Sequence, residues 1–260
     1  MSAGLEVTFL GTGTSTGVPE IGCDCKTCTS TDPRDRRLRA ALLVRKGGRQ
    51  IVIDCGPDFR EQMLREGITD LDAIFITHEH YDHVGGLDDV RPLIRHGKTC
   101  PIYAEESVIR AVHARLPYAF KENPYPGVPR LELHPIAPGD RIEIAPGFVI
   151  EPIRVMHGAL PILGYVIDDF VYITDCKTLP EETFDRISGQ TDTLVLNALR
   201  QEPHIAHLSF PEALLVRERI APRGETYLTH FTHRFGTHKK ILGRMPPHVS
   251  PAYDGLSFEA

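Results

Sequence analysis

The sequence predicts a single α/β domain, of α+β type, of a size that sandwiches with helices on both faces reach. Three observations lead there. The chain has 260 residues, 41% apolar and 25% charged, enough to enclose a substantial interior within one domain spanning 1–260. Short apolar runs of strand length alternate with segments of helical periodicity. Several of those runs stop at a histidine or an aspartate, at 78, 157, 175 and 230, so candidate ligands collect where strands end.

Residues 5–10 read as a first strand running into a glycine-rich turn over 11–17. A GxG after a strand can mark a dinucleotide site, but Pro19 interrupts and no helix pattern follows. The glycines are read instead as letting the backbone pass close beneath the loop at 78–83. Cys23, Cys25 and Cys28 follow on one loop, which suits a tetrahedral zinc site short of its fourth ligand, with three free thiols as the alternative. Arg34, Arg36, Arg37 and Arg39 form either a phosphate-contacting patch or a solvated charged loop. Residues 40–45 and 51–54 pair as strands across a Lys46-Gly47-Gly48 turn. Asp54, at a strand end, can cap a turn or accept the second N–H of a metal-bound imidazole. A helix over 58–66 stops at Gly67.

A buried strand at 74–76 then empties into His78, His80, Asp82 and His83. Four imidazole and carboxylate groups this close suit zinc, iron or manganese, and a strand-end loop can aim the first two at one ion and the last two at a neighbour. Next come a helix over 88–96, a strand at 101–104 and a helix over 105–116. Six prolines (Pro117, Pro124, Pro126, Pro129, Pro135 and Pro138) make 117–138 a long loop with one short strand at 131–134. It is a lid or a connector, with Tyr118, Phe120 and Tyr125 as lid walls. Strands at 148–156 and 170–174 end at His157 and Asp175, a helix spans 179–187 with Pro180 in its first turn, and 193–197 is another buried strand. His207 precedes a helix over 210–220, whose start carries the Ser209/Glu212 capping-box pattern, so it stands where anions are favoured. The strand at 225–229 delivers His230 and, three residues on, His233.

The His78-Glu79-His80-Tyr81-Asp82-His83 segment resembles the HxHxDH signature of the metallo-β-lactamase superfamily, mostly binuclear hydrolases. His157 and Asp175 match that superfamily's third histidine and bridging carboxylate. On this likeness His78, His80 and His157 hold one ion, Asp82, His83 and His230 the other, and Asp175 bridges them; Asp82 and His207 are the catalytic pair. His233 is left over. Odd spacing on an extended segment turns it away from His230, which makes it the fourth ligand of Cys23, Cys25 and Cys28. The GCxCxxC loop, THxHxDH, the TDxxxLPE stretch (Thr174, Asp175, Leu179, Pro180, Glu181) and THxxHxF (Thr229, His230, His233, Phe235) together resemble the PhnP proteins, phosphoribosyl 1,2-cyclic phosphate phosphodiesterases of the carbon–phosphorus lyase pathway. The likeness runs over 5–255. It implies a four-layer αββα fold, two divalent ions (manganese or zinc) at the catalytic site, a separate structural zinc, and a histidine at 207 serving the leaving group.

A net charge of −6 disfavours a general nucleic-acid surface, which needs clustered Lys and Arg. No basic segment followed by a long apolar run opens the chain, so a cytoplasmic location is expected, with the six cysteines reduced or metal-bound. The expected partner is a small-molecule phosphodiester, without a membrane; a homodimer is compatible. His96, His113, His134, His204, His238 and His248 read as surface or packing residues, and Cys55, Cys100 and Cys176 as buried or free thiols. Three other readings stand beside the phosphodiesterase. A tRNA 3′-processing endonuclease shares the motif but uses a basic arm that this sequence lacks. A thioesterase, lactonase or β-lactamase uses the same metals on a carbonyl. A binding module with a degenerate site is the last, and the full ligand set argues against it.

Overall fold

A computed structural model describes residues 4–94, 98–123, 125 and 127–260. The apolar runs become two seven-stranded sheets. The first contains β1 (Glu6–Gly11), β2 (Ala41–Lys46), β3 (Arg49–Ile53), β4 (Ala73–Phe75), β5 (Cys100–Ala104) and β6 (Leu131–Pro135), in sequential order. The second runs from β7 (Ile142–Ala145) through β8 (Phe148–His157), β9 (Leu160–Ile167), β10 (Phe170–Ile173) and β11 (Thr193–Asn197) to β12 (Thr226–Thr229) and β13 (Val249–Pro251). The final strand β14 (Ser257–Glu259) returns to pair antiparallel with β1.

Alternation decides the layers. Phe9, Leu42, Val44, Ile51, Ile53 and Phe75 of the first sheet meet Phe148, Tyr165, Phe170, Tyr172 and Val195 of the second in one core. Their neighbours Leu43, Val52 and Ile74 face outward onto α1 (Phe59–Arg65), α2 (Tyr81–Val84) and α3 (Glu106–Arg115). Val171, Ile173, Leu194 and Leu196 do the same beneath α4 (Glu181–Ile187), α5 (Phe210–Ile220) and α6 (His238–Leu242). Strands covered on both faces must be apolar at every position, which is why their sequences read as continuous runs. The result is the four-layer αββα sandwich. Phe75 stacks on Tyr103 at 4.8 Å and meets Tyr165 edge-on; truncating it to alanine should cost about 3–5 kcal/mol. No helix among the described residues is long and apolar enough to cross a membrane.

Several expectations change. The helix expected over 88–96 is a single 3-10 turn, Leu87–Val90, followed by turns to residue 94; His96 and the end of that range lie outside the described residues. β9 escaped sequence reading because Pro161 and Gly164 punctuate its apolar run, yet it is fully paired between β8 and β10. It also anchors the end of β4, where the Leu163 N–H donates to the Thr77 carbonyl (3.0 Å) and Tyr165 Oη to the Ile76 carbonyl (2.6 Å). The arginine segment is not a phosphate patch. Arg37 is buried, donating to Thr12 Oγ1 and the Ala252 carbonyl and lying over the Phe231 ring, while Arg34 and Arg39 pair with Asp32 and Asp58.

In the 117–138 segment, Tyr118 Oη donates to Asp88 and Phe120 packs on His113 at 4.1 Å, so these two side chains engage the outer helical layer. Tyr125 is exposed, and Pro124 and Pro126 lie outside the described residues. The glycines of 11–17 do not underlie the ligand loop: a Cβ on Gly11 would collide with the Arg39 carbonyl. That close approach belongs to Gly56 and Gly86. A Cβ on Gly56 would stand 2.0 Å from the Asp82 carbonyl oxygen, and one on Gly86 2.1 Å from that of Gly56.

Candidate metal centre

The ends of β4, β8, β10 and β12 lie at one edge of the sandwich, and the loops leaving them carry the candidate ligands. His78 Nε2 and His80 Nδ1 face each other at 3.0 Å, and His157 completes a group whose ligand atoms all lie within 4.8 Å. His157 Nδ1 donates to the Ala206 carbonyl at 2.8 Å, which leaves Nε2 with its lone pair toward the other two rings. A second group within the same limit is Asp82, His83, Asp175 and His230, all buried. Here His83 Nε2 is 3.2 Å from Asp82 Oδ2 and 3.3 Å from Asp175 Oδ2, and His230 Nε2 is 3.1 Å from Asp175 Oδ1. Asp175 also falls within reach of His157 and His207, so it stands between the two groups.

Asp54, Asp175 and His230 occupy the left-handed region, with φ of 68°, 54° and 61°. Non-glycine residues rarely sit there, and the sharp turns swing these side chains off the strand ends into the common space.

Electrostatics and hydrogen bonding test whether divalent ions suit these groups. His83 Nε2 and both nitrogens of His230 are buried and lack a hydrogen-bond partner among the described residues. Native proteins seldom leave such atoms unsatisfied, and an ion supplies the missing partner. Burial works against a charge on His83, but Asp54, Asp175 and Asp82 outweigh it and hold its pKa well above the usual value. Burial would likewise raise Asp175 and Asp82, yet the neighbouring histidines carry both carboxyls below their ordinary range. His78 and His80 are pushed down by burial and by nearby rings, toward the neutral form that ligates. Three buried carboxylates, with His78 and His80 leaning to the neutral form, suit added positive charge, and the residues fit divalent metal.

Sequence reading placed Asp54 behind a metal-bound imidazole. Its Oδ2 accepts from His83 Nδ1 at 2.7 Å, and the same carboxylate takes the Thr77 N–H and hydroxyl. Thr77 enters the sequence reading only as the first residue of THxHxDH, with no role attached. His207 stands three residues before the start of α5, whose capping box joins Ser209 and Glu212. Its Nε2 lies 3.1 Å from Asp175 Oδ1, and burial lowers its pKa to about 4 against the upward pull of that carboxylate. His204, expected as a surface or packing residue, is half-buried with its Nδ1 3.0 Å from His207 Nδ1.

A third group lies apart. Cys23, Cys25, Cys28 and His233 bring their ligand atoms within 4.8 Å, with His233 Nδ1 3.2 Å from Cys23 Sγ and 3.3 Å from Cys25 Sγ. Glu20 stands 3.3 Å from His233 Nε2. The Cys28 backbone N–H and the His233 ring draw the Cys25 thiol down to about 6, while burial drives Cys28 up to about 12. Four such donors at half-buried positions, with no disulfide, match a tetrahedral zinc set. The divergence of His230 and His233 has a different cause from the one expected. His233 opens a 3-10 turn, His233–Phe235, and His230 is left-handed, so a turn rather than extended alternation aims the rings apart.

Comparison with known proteins places residues 49–231 within a family described as the beta-lactamase superfamily domain. A crystallised diphosphatase of the PhnP family is 39% identical, superposes with a TM-score of 0.91, and is covered over 98% of its length by the whole of this chain. An octanoyltransferase of Porphyromonas gingivalis is 43% identical over 95% of this chain, and ribonuclease Z of a Bradyrhizobium strain is 30% identical over 68% of it. The chain spans about half the length of each of those two, 50% and 53%.

Proposed function

Since the chain belongs to the beta-lactamase superfamily and, within it, to the PhnP family of hydrolases, we propose that it is a binuclear metal-dependent phosphodiesterase acting on a small cyclic phosphodiester such as phosphoribosyl 1,2-cyclic phosphate. One observation carries this reading: Asp175 groups with Asp82, His83 and His230 on one side and lies within reach of His157 on the other, and His207 touches that same carboxylate. On this reading His78, His80 and His157 would hold one ion and Asp82, His83 and His230 the other, with Asp175 available to both. When bound, a manganese or zinc pair supplies hydroxide from water at neutral pH and offsets charge on phosphate oxygens. Cys23, Cys25, Cys28 and His233 hold a separate structural zinc.

The protein's own groups do the rest. Asp54 fixes the His83 tautomer, and the Ala206 carbonyl does the same for His157. His207 Nε2 presents a proton to the leaving oxygen, and the negative charge of a bound phosphodiester favours its protonated form. As the water-derived oxygen forms its bond to phosphorus, the P–O bond to the departing oxygen breaks with its electron pair, the Nε2–H bond breaks as that oxygen's O–H bond forms, and His207 regains its proton from solvent.

The ribonuclease Z likeness favours a second reading, cleavage of tRNA precursors; the net charge of −6 supports the small substrate instead. Acyl transfer finds no nucleophile in Cys55, Cys100 or Cys176, which are buried with their thiol pKa raised, Cys100 to about 12. The reading includes a cytoplasmic setting, supported by six cysteines without a disulfide. A hydrolysis screen of metal-assayed protein against cyclic ribose phosphates, cyclic nucleotides, precursor tRNA and lactones tests it. Turnover of cyclic ribose phosphates above all others is expected; exclusive turnover of tRNA or lactones overturns the reading.

A further inference from the structure

His204 stands outside every ligand group, yet it makes two contacts whose donors can be worked out. The Ala206 backbone N–H donates to His204 Nδ1 at 3.2 Å. A backbone amide has no other role to play, so His204 Nδ1 carries a lone pair and no proton. The same atom is 3.0 Å from His207 Nδ1. With His204 accepting there, His207 must donate, and its Nδ1 is the protonated nitrogen. The proton that His207 exchanges is then confined to Nε2, the nitrogen that faces Asp175 Oδ1 at 3.1 Å.

Resting on the function proposed above, we infer that His204 is a positioning residue that locks the tautomer and ring orientation of His207, so that only its Nε2 exchanges a proton with the substrate. Geometry supports a built device. The two rings lie 4.9 Å apart, and His204 is half-buried against the loop that carries both. That loop, 204–207, serves two imidazoles at once: the Ala206 carbonyl accepts from His157 Nδ1, and the Ala206 N–H sets His204, which sets His207. Its exposed Ile205 takes no part and spaces the contacts. The His-x-x-His spacing is the sequence trace of this arrangement.

Two variants separate the lone pair from the ring. His204→Asn keeps an acceptor near the Nδ1 position and loses the ring; His204→Phe keeps the ring and loses the acceptor. Zinc-loaded protein carrying 15N-histidine reports the His207 tautomer by its two-bond N–H couplings, and turnover is measured on a 2′,3′-cyclic nucleotide, with an alkoxide leaving group, and on bis(p-nitrophenyl) phosphate. The expected result for His204→Phe is a His207 proton moved from Nδ1 to Nε2 and turnover of the cyclic nucleotide lowered about 10–100-fold, the usual effect of losing an imidazole's supporting partner. The aryl diester, whose leaving group needs no proton, should lose far less. His204→Asn should retain the tautomer and most of the activity. Unchanged tautomer and turnover in His204→Phe, or equal losses in both variants, would overturn the inference. A His207→Ala control separates the two readings: if it turns over the cyclic nucleotide normally, proton donation by His207 fails, while the tautomer measurement still judges His204.

Discussion

Asp54→Asn is the sharpest perturbation available, because it changes protons while leaving shape intact. Asparagine fits the left-handed backbone at position 54 (φ 68°) as readily as aspartate. The Thr77 N–H, 2.8 Å from Asp54 Oδ1, holds the amide oxygen on its side, which leaves the amide NH2 facing His83 Nδ1, 2.7 Å away in the native arrangement. Two donors cannot share that contact. His83 must move its proton to Nε2, the nitrogen that stands 3.2 and 3.3 Å from Asp82 and Asp175, and a ligand lone pair is lost. Supporting partners of this kind are worth about 10–100-fold in metal affinity, or about 1.4–2.7 kcal/mol. The substitution also removes the carboxylate that does most to raise the pKa of buried His83, so metal-free protein should lose stability as well. The assay is competition against a chromophoric chelator, with urea unfolding of the metal-free form beside it. Native affinity and stoichiometry in Asp54→Asn would refute the argument that Asp54 sets His83 for an ion.

Four further outcomes are expected. His207→Ala should keep its metal content and lower turnover of a cyclic diester by about 10²–10⁴-fold, the range for a general acid; metal analysis and kcat check it. Cys25→Ala should lose about one equivalent of zinc and unfold at lower urea, with the catalytic ligands spared, because a structural zinc contributes its binding energy to folding. Gly56→Ala places a methyl where the Asp82 carbonyl stands, so the ligand loop must shift; stability should drop by about 1–3 kcal/mol and metal affinity with it, as calorimetry and chelator titration would report. The last concerns pH. Burial and the charge of Arg37 lower His238 to about 4, and its Nδ1 faces Arg37 Nη2 at 3.3 Å. The unfolded chain binds that proton below about 6.5, so the contribution of neutral His238 is complete above that value and fades as pH falls toward 4. After allowance for solvent screening it is on the order of 2 kcal/mol, and His238→Asn should flatten the pH dependence of the urea midpoint by that amount relative to native protein.

What the sequence by itself determined is whatever depends on neighbours along the chain. The apolar runs at 42–44, 51–53 and 194–196 had to be strands covered on both faces, since no polar position interrupts them. His78, His80, Asp82 and His83 lie so close together that any strand-end loop brings them near one another, and the three cysteines behave alike. Tertiary structure decided what depends on groups distant in sequence or on backbone conformation. Asp54 meets His83 across two parallel strands, β3 and β4, and Gly56 takes the Asp82 carbonyl into the space of its missing side chain. His204 reads from sequence only as a surface or packing residue because its partner depends on how a loop folds back, and a single backbone N–H then determines which of its nitrogens accepts. The left-handed turns at Asp54, Asp175 and His230 leave no mark in residue type, yet they aim the side chains. Periodicity records which face of an element is buried; it does not record where a strand bends at its end, and the bend puts these ligands in contact.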